Sequence, residues 1–270
     1  MATVAQAIDP ANRYRDMFEP FNKHEVYASR HFNSWLYLRP SDPAARYANV
    51  IGKVVSGKLH ERSVDRWNRR TVYTKRLIRE TRANLWLKWL TNTFPDLTMI
   101  LVLRHPCTIA SGSLLLERMD RFSSLLSQPD LMQDHLQPFK DVLANVNDKF
   151  DKYVFSWCIQ HYVPLRQFAP GQLHLVFYET LCAQPEIELS KLSTLVRGSF
   201  ASGLSEEKAD RLTNLRRKAE LLDPWRKHLT SHQIRRTVEI LRIFGLDKIY
   251  CEETMPDIAA AYRFLEAAAR

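Results

Sequence analysis

Two predominantly apolar runs predict the buried strands around which this chain is organised. The first is Leu97 to Leu103 (LTMILVL), which contains the β-branched residues Thr98, Ile100 and Val102. The second is Leu173 to Tyr178 (LHLVFY). A strand covered on both faces needs no polar alternation, so runs of this kind are typical of parallel strands inside a sheet.

Helical patterns lie before, between and after these two runs. Residues 83–94 (ANLWLKWLTNTF) form an amphipathic pattern with Leu85, Trp89 and Leu90 on one side. Pro106 favours a helix start, because its missing N–H costs nothing in the first turn. Further helices are predicted at 106–118, 151–167, 185–196, 205–220, 231–244 and in an Ala-rich C-terminal segment. The alternation of helices and strands predicts an α/β fold with a parallel sheet and crossover connections.

The rest of the chain has weaker patterns. Residues 72–78 are a plausible short strand, residues 10–24 look like a polar and aromatic connection, and residues 25–70 look helical or irregular. Residues 120–150 form a long insertion with helical periodicity in its second half. There is no low-complexity linker and there are only 7 glycines, so we interpret residues 1–270 as one domain.

The end of the first predicted strand has the chemistry of an anion site. Arg104 and His105 follow the apolar run directly, and Ser111 and Ser113 lie within the next helix. In open α/β sheets, ligands bind at the carboxyl ends of strands. An arginine, free helix N–H groups and hydroxyls at such a point suit a phosphate or sulfate, although many α/β proteins place an arginine there without a ligand.

Composition and charge limit the class of protein. The chain has 39 Lys and Arg residues against 30 Asp and Glu residues, a net charge of +9. This excess favours an anionic ligand, nucleic acid or a membrane surface. The basic residues form short clusters within mixed segments and no nucleic-acid-binding signature accompanies them, so we interpret most as solvated and expect neither nucleic acid nor membrane as a partner.

Targeting and cysteine patterns point to the cytoplasm. No apolar run approaches the roughly 18 residues that span a bilayer, and the N-terminal residues lack a secretory pattern. The four cysteines are widely spaced, which argues against a disulfide framework or a zinc site; they are Cys107, Cys158, Cys182 and Cys251.

One segment is similar to a nucleotide-binding phosphate loop. Residues 52–58 (GKVVSGK) fit GxxxxGK, but Leu59 stands where a Ser or Thr should bind Mg²⁺. The preceding ARYANVI is not a convincing buried strand. We therefore favour a basic surface segment over a kinase-type site, which would predict ATP binding that depends on Lys58.

Four segments in order resemble the sulfotransferase family that uses the donor PAPS (3′-phosphoadenosine 5′-phosphosulfate). They are RANLWLKWLTNTFPD, LTMILVLRHPCTIASGSL, LHLVFYETLCAQPEIELSKLSTLV and WRKHLTSHQIRRTVEILRIFGLDKIY. The resemblance implies a three-layer, parallel-sheet, P-loop-like sulfotransferase fold. It also implies transfer of a sulfuryl group from PAPS to a hydroxyl or amine, on a small-molecule or carbohydrate acceptor, without a metal.

The resemblance also assigns donor-binding residues. Arg104 matches the arginine that binds the 3′-phosphate of the donor. The matching serine stands eight positions later in the family, where this chain has Gly112. Ser111 and Ser113 flank that position, and we favour Ser111. A basic loop that reaches the same phosphate in some members resembles the run Arg216, Arg217 and Lys218, although an exposed basic helix end is an equal alternative.

Two further residues are assigned on the same basis. Trp157, in SWCIQHY, resembles a residue on a helix near the donor, although core packing explains it better. Glu19, in MFEPFN, resembles an acid that can act as the general base for the acceptor, with a surface glutamate as the alternative. His105 is a weaker candidate base, expected to be neutral beside Arg104.

The resemblance lacks one diagnostic element. The family begins with a buried strand and a loop like PRSGTT that holds the 5′-phosphosulfate, whereas this chain starts at MATVAQAIDP. We expect a fold without its first strand and loop, through either a misplaced start or a true loss, and weak or absent sulfotransferase activity. A non-catalytic binding protein on the same fold and a basic nucleic-acid-binding protein remain alternatives, so enzyme activity stays open.

Overall fold

The structure is a computed structural model that describes residues 2–9, 13–33, 35–43, 45–196, 206–220 and 222–268. The chain divides into two compact units, Met1–Asp96 and Leu97–Arg270. Each unit contains one pair of parallel strands. The molecule is therefore a mixed α/β protein with parallel pairing, as the alternation of strands and helices predicts.

The first unit is organised around strands β1 (Arg15–Phe18) and β2 (Arg76–Arg79). They pair in parallel, with Met17 opposite Ile78. The sequence did not predict β1, and the reason lies in its inward-facing positions. One of them is Met17, but the other is Arg15, which is buried and paired with Asp65 at 2.7 Å. Because a buried ion pair replaces an apolar residue there, no apolar alternation marks the strand.

The helices of the first unit pack an aromatic core. They are α1 (Ala2–Ile8), α2 (Ala45–Val55) and α3 (Leu87–Thr93), with 3₁₀ turns at Tyr27–Ser29 and Asn84–Trp86. Trp86 is fully buried, and its ring meets Phe21 edge-on at 4.9 Å and Phe32 at 6.0 Å. This cluster anchors the segment that follows β1 to the segment that follows β2.

The phosphate-loop lookalike does not form a loop. Residues 52–55 belong to α2, whose Tyr47, Ile51 and Val54 are buried at helical spacing. The GKVVSGK segment continues directly from the preceding turns of α2 rather than from a strand, and the backbone N–H groups of Ser56, Gly57 and Lys58 donate to carbonyls of that helix, so they are not free to cradle a phosphate. Lys53 and Lys58 are exposed, which agrees with the interpretation as a basic surface segment.

The second unit is organised around strands β3 (Ile100–Leu103) and β4 (His174–Phe177). They pair in parallel, with Leu103 opposite Phe177 at their carboxyl ends. Both strands were predicted from their apolar runs, but residues 97–99 lie outside β3.

The strand predicted at 72–78 in the first unit is also shifted, because β2 begins at Arg76.

Helices surround this strand pair. They are α4 (Pro106–Leu115), α5 (Phe122–Leu126), α6 (Pro129–Leu131), α7 (Lys140–Ala144), α8 (Lys149–Gln167), α9 (Tyr178–Ala183), α10 (Pro185–Leu195), α11 (Glu206–Ala219), α12 (Ser231–Ile243) and α13 (Ile258–Ala268). Helix α8 is the central element and packs against α4, α5, α12 and α13. Asp148 caps its start by accepting hydrogen bonds from the backbone N–H groups of Phe150 and Asp151.

Candidate functional site

The carboxyl ends of β3 and β4 place an arginine beside an aromatic ring. Because the strands are parallel and in register, Arg104 and Tyr178 leave the sheet at the same edge. The Arg104 guanidinium lies 4.3 Å from the centre of the Tyr178 ring, a cation–π contact. The Nε of Arg104 is buried and has no hydrogen-bond partner in the described chain. A buried guanidinium nitrogen without a partner can bind an anion without giving up an existing hydrogen bond.

A buried carboxylate holds the two strand ends together. Glu179 is fully buried, and its Oε1 accepts a hydrogen bond from the His105 backbone N–H at 2.7 Å. Its Oε2 accepts one from the Tyr250 hydroxyl at 3.0 Å. Burial raises the pKa of Glu179, and these hydrogen bonds together with the charge of Arg104 oppose that shift. Arg104 therefore lies at the edge of a fixed polar network.

His105 is a structural residue in this network. Its Nδ1 accepts a hydrogen bond from the Cys107 backbone N–H at 3.2 Å and so caps α4. The proton is therefore on Nε2, which lies 3.1 Å from the carbonyl oxygen of Cys251. Its ring stacks on Trp225 at 4.8 Å. Burial lowers the pKa of His105 to about 4, with a smaller contribution from Arg226, so the neutral form has a different cause from the one expected. With both ring nitrogens engaged, His105 is a poor candidate for the general base.

The two candidate serines lie on α4 but on different sides of it. Ser111 and Ser113 are both buried. Residues two positions apart on a helix differ by about 200° in direction, so only one of the two can share a face with a given ligand. Thr108 lies one turn before the intervening Gly112, and its buried Oγ1 lacks a hydrogen-bond partner in the described chain. A Cβ at Gly112 would meet no atom within 4 Å, so this face of α4 is open.

The basic end of α11 approaches the same region. Arg217 and Lys218 lie in the last turn of α11, which agrees with the helix predicted at 205–220 and with the alternative of a basic helix end rather than a loop. Lys218 and Arg104 both act on the Cys182 thiol and lower its pKa, against a larger increase caused by burial. The geometric basis is that α11 packs against α9, the helix that begins at Tyr178 and carries Cys182. Arg217 is exposed and donates to the Asn214 side chain at 3.1 Å.

Trp157 supports the backbone of Arg104. Its indole Nε1 donates to the Arg104 carbonyl oxygen at 3.1 Å, and its ring stacks on His161 at 4.2 Å. Trp157 is buried. Its contacts are those of a core residue that also fixes the strand end, which agrees with the core-packing interpretation.

Glu19 lies at the carboxyl end of β1, in the first unit. Its side chain is about one-sixth exposed, at 17%. One carboxylate oxygen accepts a hydrogen bond from the Thr81 hydroxyl at 3.0 Å, and the other lies 3.0 Å from Arg82. Its backbone has a φ of 44°. A non-glycine residue in this left-handed region carries strain of about 1–3 kcal/mol, which is often found at functional sites.

Sequence reasoning missed two residues beside Glu19. Glu80 directly follows β2, as Glu19 directly follows β1, and Arg82 lies close to both carboxylates, 3.4 Å from Glu80. Glu80 also accepts a hydrogen bond from the Phe21 backbone N–H at 2.9 Å. Burial raises the pKa of Glu80, while Arg82 opposes that shift. The rule that placed Arg104 at a strand end would have found Glu80 if β2 had been predicted to end at Arg79.

Within the described residues, no group of three or more His, Cys, Asp or Glu side chains is arranged to hold a metal ion. Across the same residues, none of the helices combines the length and the apolar character needed to cross a bilayer.

Comparison with known proteins gives one match. A family model described as the sulfotransferase family matches residues 5–197, which is more than half of the chain. No curated protein and no solved structure matches the chain. The matched range contains Glu19, Arg104, Ser111 and Ser113. The basic end of α11 lies beyond it.

Proposed function

Because this chain belongs to the sulfotransferase family, we propose that it binds PAPS and transfers the sulfuryl group to a hydroxyl or amine of a small-molecule or carbohydrate acceptor. PAPS supplies the sulfuryl group and leaves as adenosine 3′,5′-bisphosphate. The observation that carries the proposal is the buried Nε of Arg104, which has no hydrogen-bond partner in the described chain at the carboxyl end of a parallel strand pair.

Arg104 is the proposed ligand of the 3′-phosphate. Its guanidinium is held over the Tyr178 ring, so little side-chain freedom would be lost on binding. Lys218 adds positive charge to the same region, because α11 packs against α9, which begins at Tyr178. We assign Arg217 a secondary role through long-range attraction, because its side chain is exposed and bonded to Asn214.

Ser111 is the proposed hydroxyl ligand on α4. It is three positions from Thr108, so the two side chains are neighbours on the helix surface. Ser113 points about 160° away from Ser111 around the helix axis, counted the shorter way. We therefore do not assign Ser113 as a second ligand. A substitution of Ser113 is the matched control for a substitution of Ser111.

We assign Glu19 as the general base because of the side chains that contact its carboxylate in the first unit. Its carboxylate is oriented by Thr81 and Arg82, yet part of its side chain remains exposed. A base in this role accepts the proton of the acceptor O–H or N–H as the new S–O or S–N bond forms. Glu80 lies 3.4 Å from the same Arg82 nitrogen that contacts Glu19, and so helps to hold Arg82 in place beside Glu19.

The proposal is tested by isothermal titration calorimetry with adenosine 3′,5′-bisphosphate and with adenosine 5′-phosphate. Removing a hydrogen bond to a charged group costs about 1.5–3 kcal/mol, so Arg104→Met should weaken the bisphosphate by roughly 10- to 150-fold. The 5′-phosphate lacks the 3′ group and should bind the variant as it binds the wild type. Arg235→Met, at an exposed position on α12, is the matched control. Equal loss for both ligands, or no loss, would contradict the assignment.

A non-catalytic binding protein is the second candidate. Residues 1–270 contain no segment like PRSGTT, and Gly112 stands where the family has its serine. This candidate predicts bisphosphate binding that depends on Arg104 without transfer of labelled sulfate from PAPS to any of a panel of alcohols, amines and sugars. Transfer at an enzymatic rate would exclude it and would also overturn the expectation of weak activity.

A further inference from the structure

The positive charge of this protein is concentrated in its first unit. Residues 1–96 contain 17 Lys and Arg residues and nine Asp and Glu residues, which accounts for +8 of the net charge of +9. The segment 62–76 is the densest part. It has no exposed acidic residue, and it carries six exposed basic side chains: Arg62, Arg66, Arg69, Arg70, Lys75 and Arg76.

Most of these cations have no acidic partner among the residues that the structure describes. Arg66 forms an ion pair with Glu25. The other five form no ion pair with any residue that the structure describes. Lys75 only approaches the Tyr14 ring and hydroxyl. Asp65, the single acid of the segment, is already taken by Arg15. The local charge is therefore available to an outside partner.

The same segment exposes two large apolar side chains. Trp67 is 57% exposed and Val72 is 78% exposed. The loop between them is closed by the Tyr73 hydroxyl, which accepts hydrogen bonds from the backbone N–H groups of Arg69 at 2.9 Å and Arg70 at 2.6 Å. Both apolar side chains are thus exposed on the same segment as the exposed cations.

We propose that residues 62–76 bind the surface of an anionic phospholipid bilayer. Lys and Arg side chains near an anionic bilayer are attracted to its headgroups, and Trp prefers the membrane–water interface. Val72 distinguishes this partner from a nucleic acid. A valine has no aromatic face on which a base could stack, and its side chain gains free energy only by entering an apolar medium. This proposal departs from the expectation based on the sequence, in which most basic residues were interpreted as solvated and no membrane partner was expected.

The test is co-sedimentation of the full chain with lipid vesicles. We expect binding to mixed phosphatidylcholine–phosphatidylserine vesicles that weakens with added salt, and much weaker binding to pure phosphatidylcholine. Each cation near the surface is worth roughly a five-fold change in partitioning, so Arg69→Gln with Arg70→Gln should weaken binding about 30-fold. The matched control neutralises Lys227 and Arg235, exposed residues of the second unit, and should bind nearly as the wild type does.

Insertion of the apolar side chains into the bilayer is tested separately from the attraction of the cations to it. Val72→Ser leaves the charge unchanged and should weaken binding to the anionic vesicles. Bromine-labelled phosphatidylcholine in the vesicles should quench the fluorescence of Trp67, measured as the difference between the wild type and Trp67→Phe. Equal losses in the 69/70 variant and the control variant would overturn the proposal. So would unchanged binding of Val72→Ser, or binding to a random RNA oligonucleotide in place of vesicles.

Discussion

Acidification should destabilise the second unit through two buried histidines. His105 and His161 are buried, and burial lowers the pKa of each to about 4. The His105 ring is covered by Trp225 and the His161 ring by Trp157. Neither imidazole can take up a proton in the folded state without placing a charge among aromatic rings.

The direction and size of this pH effect follow from the pKa of each histidine in the folded and in the unfolded state. An unfolded histidine has a pKa of 6.5, so between pH 6.5 and 4 the unfolded chain binds more protons than the folded chain. The stabilising contribution is therefore present above pH 6.5 and is lost as the pH falls towards 4. For each histidine the free energy of unfolding falls by about 2 kcal/mol between pH 7 and pH 5, and by about 4 kcal/mol for the pair. Burial raises the pKa of Glu179, which acts in the opposite direction.

The assay is urea unfolding followed by circular dichroism at several values between pH 5 and pH 7. His105→Asn retains an acceptor for the Cys107 backbone N–H, since asparagine is a good N-cap, but it cannot titrate. His161→Gln likewise retains a donor for the carbonyl of Trp157, which lies 2.7 Å from Nδ1. Each variant should lose about 2 kcal/mol less than the wild type over this range.

The comparison between variants isolates the histidines from other titrating groups. His228→Asn, at an exposed position, is the control and should follow the wild-type pH dependence. The reasoning is refuted if the unfolding free energies of His105→Asn and His161→Gln run parallel to that of the wild type from pH 7 to pH 5.

Three further perturbations have defined outcomes. Tyr250→Phe leaves a buried carboxylate oxygen without its donor and should lower the unfolding free energy by about 1.5–3 kcal/mol, whereas the exposed Tyr262→Phe should change it little by the same urea assay. Leu103→Ala, at a fully buried strand end, should cost about 2–5 kcal/mol by urea unfolding, against little for the exposed Leu116→Ala. Glu19→Gln should reduce any measured kcat by about 10²- to 10⁴-fold without changing bisphosphate affinity by calorimetry, and an unchanged kcat would remove Glu19 as the base.

Much of the second unit could be predicted from the sequence. β3 and β4 were found because most of their side chains are apolar and more than half of them are buried, a pattern that hardly depends on the rest of the chain. The start of α4 at Pro106 and the long helix α8 were also predicted. The position of Arg104 at a strand end follows from the same local pattern, so the arginine at the centre of the proposed donor site could be placed from the sequence alone.

The first unit was predicted less well because polar groups replace apolar ones inside it. Strand β1 is held by the buried Arg15–Asp65 ion pair, whose partners are 50 residues apart. The pairing of Glu19 and Glu80 through Arg82 likewise requires β1 and β2 to lie side by side. Hydrophobic periodicity carries no information on such long-range polar pairs.

The sequence by itself determined the class of fold, the two buried strands and the family to which the chain is assigned, because these depend on local apolar patterns and on the order of segments. Only the tertiary structure decided what the polar residues do. It buried His105 and Glu179 in one network, left Arg104 Nε without a partner in the described chain and separated Ser111 from Ser113 around a helix. The physical reason is that the free energy of a polar group depends on whether it is buried and paired, and both are set by residues distant in the chain.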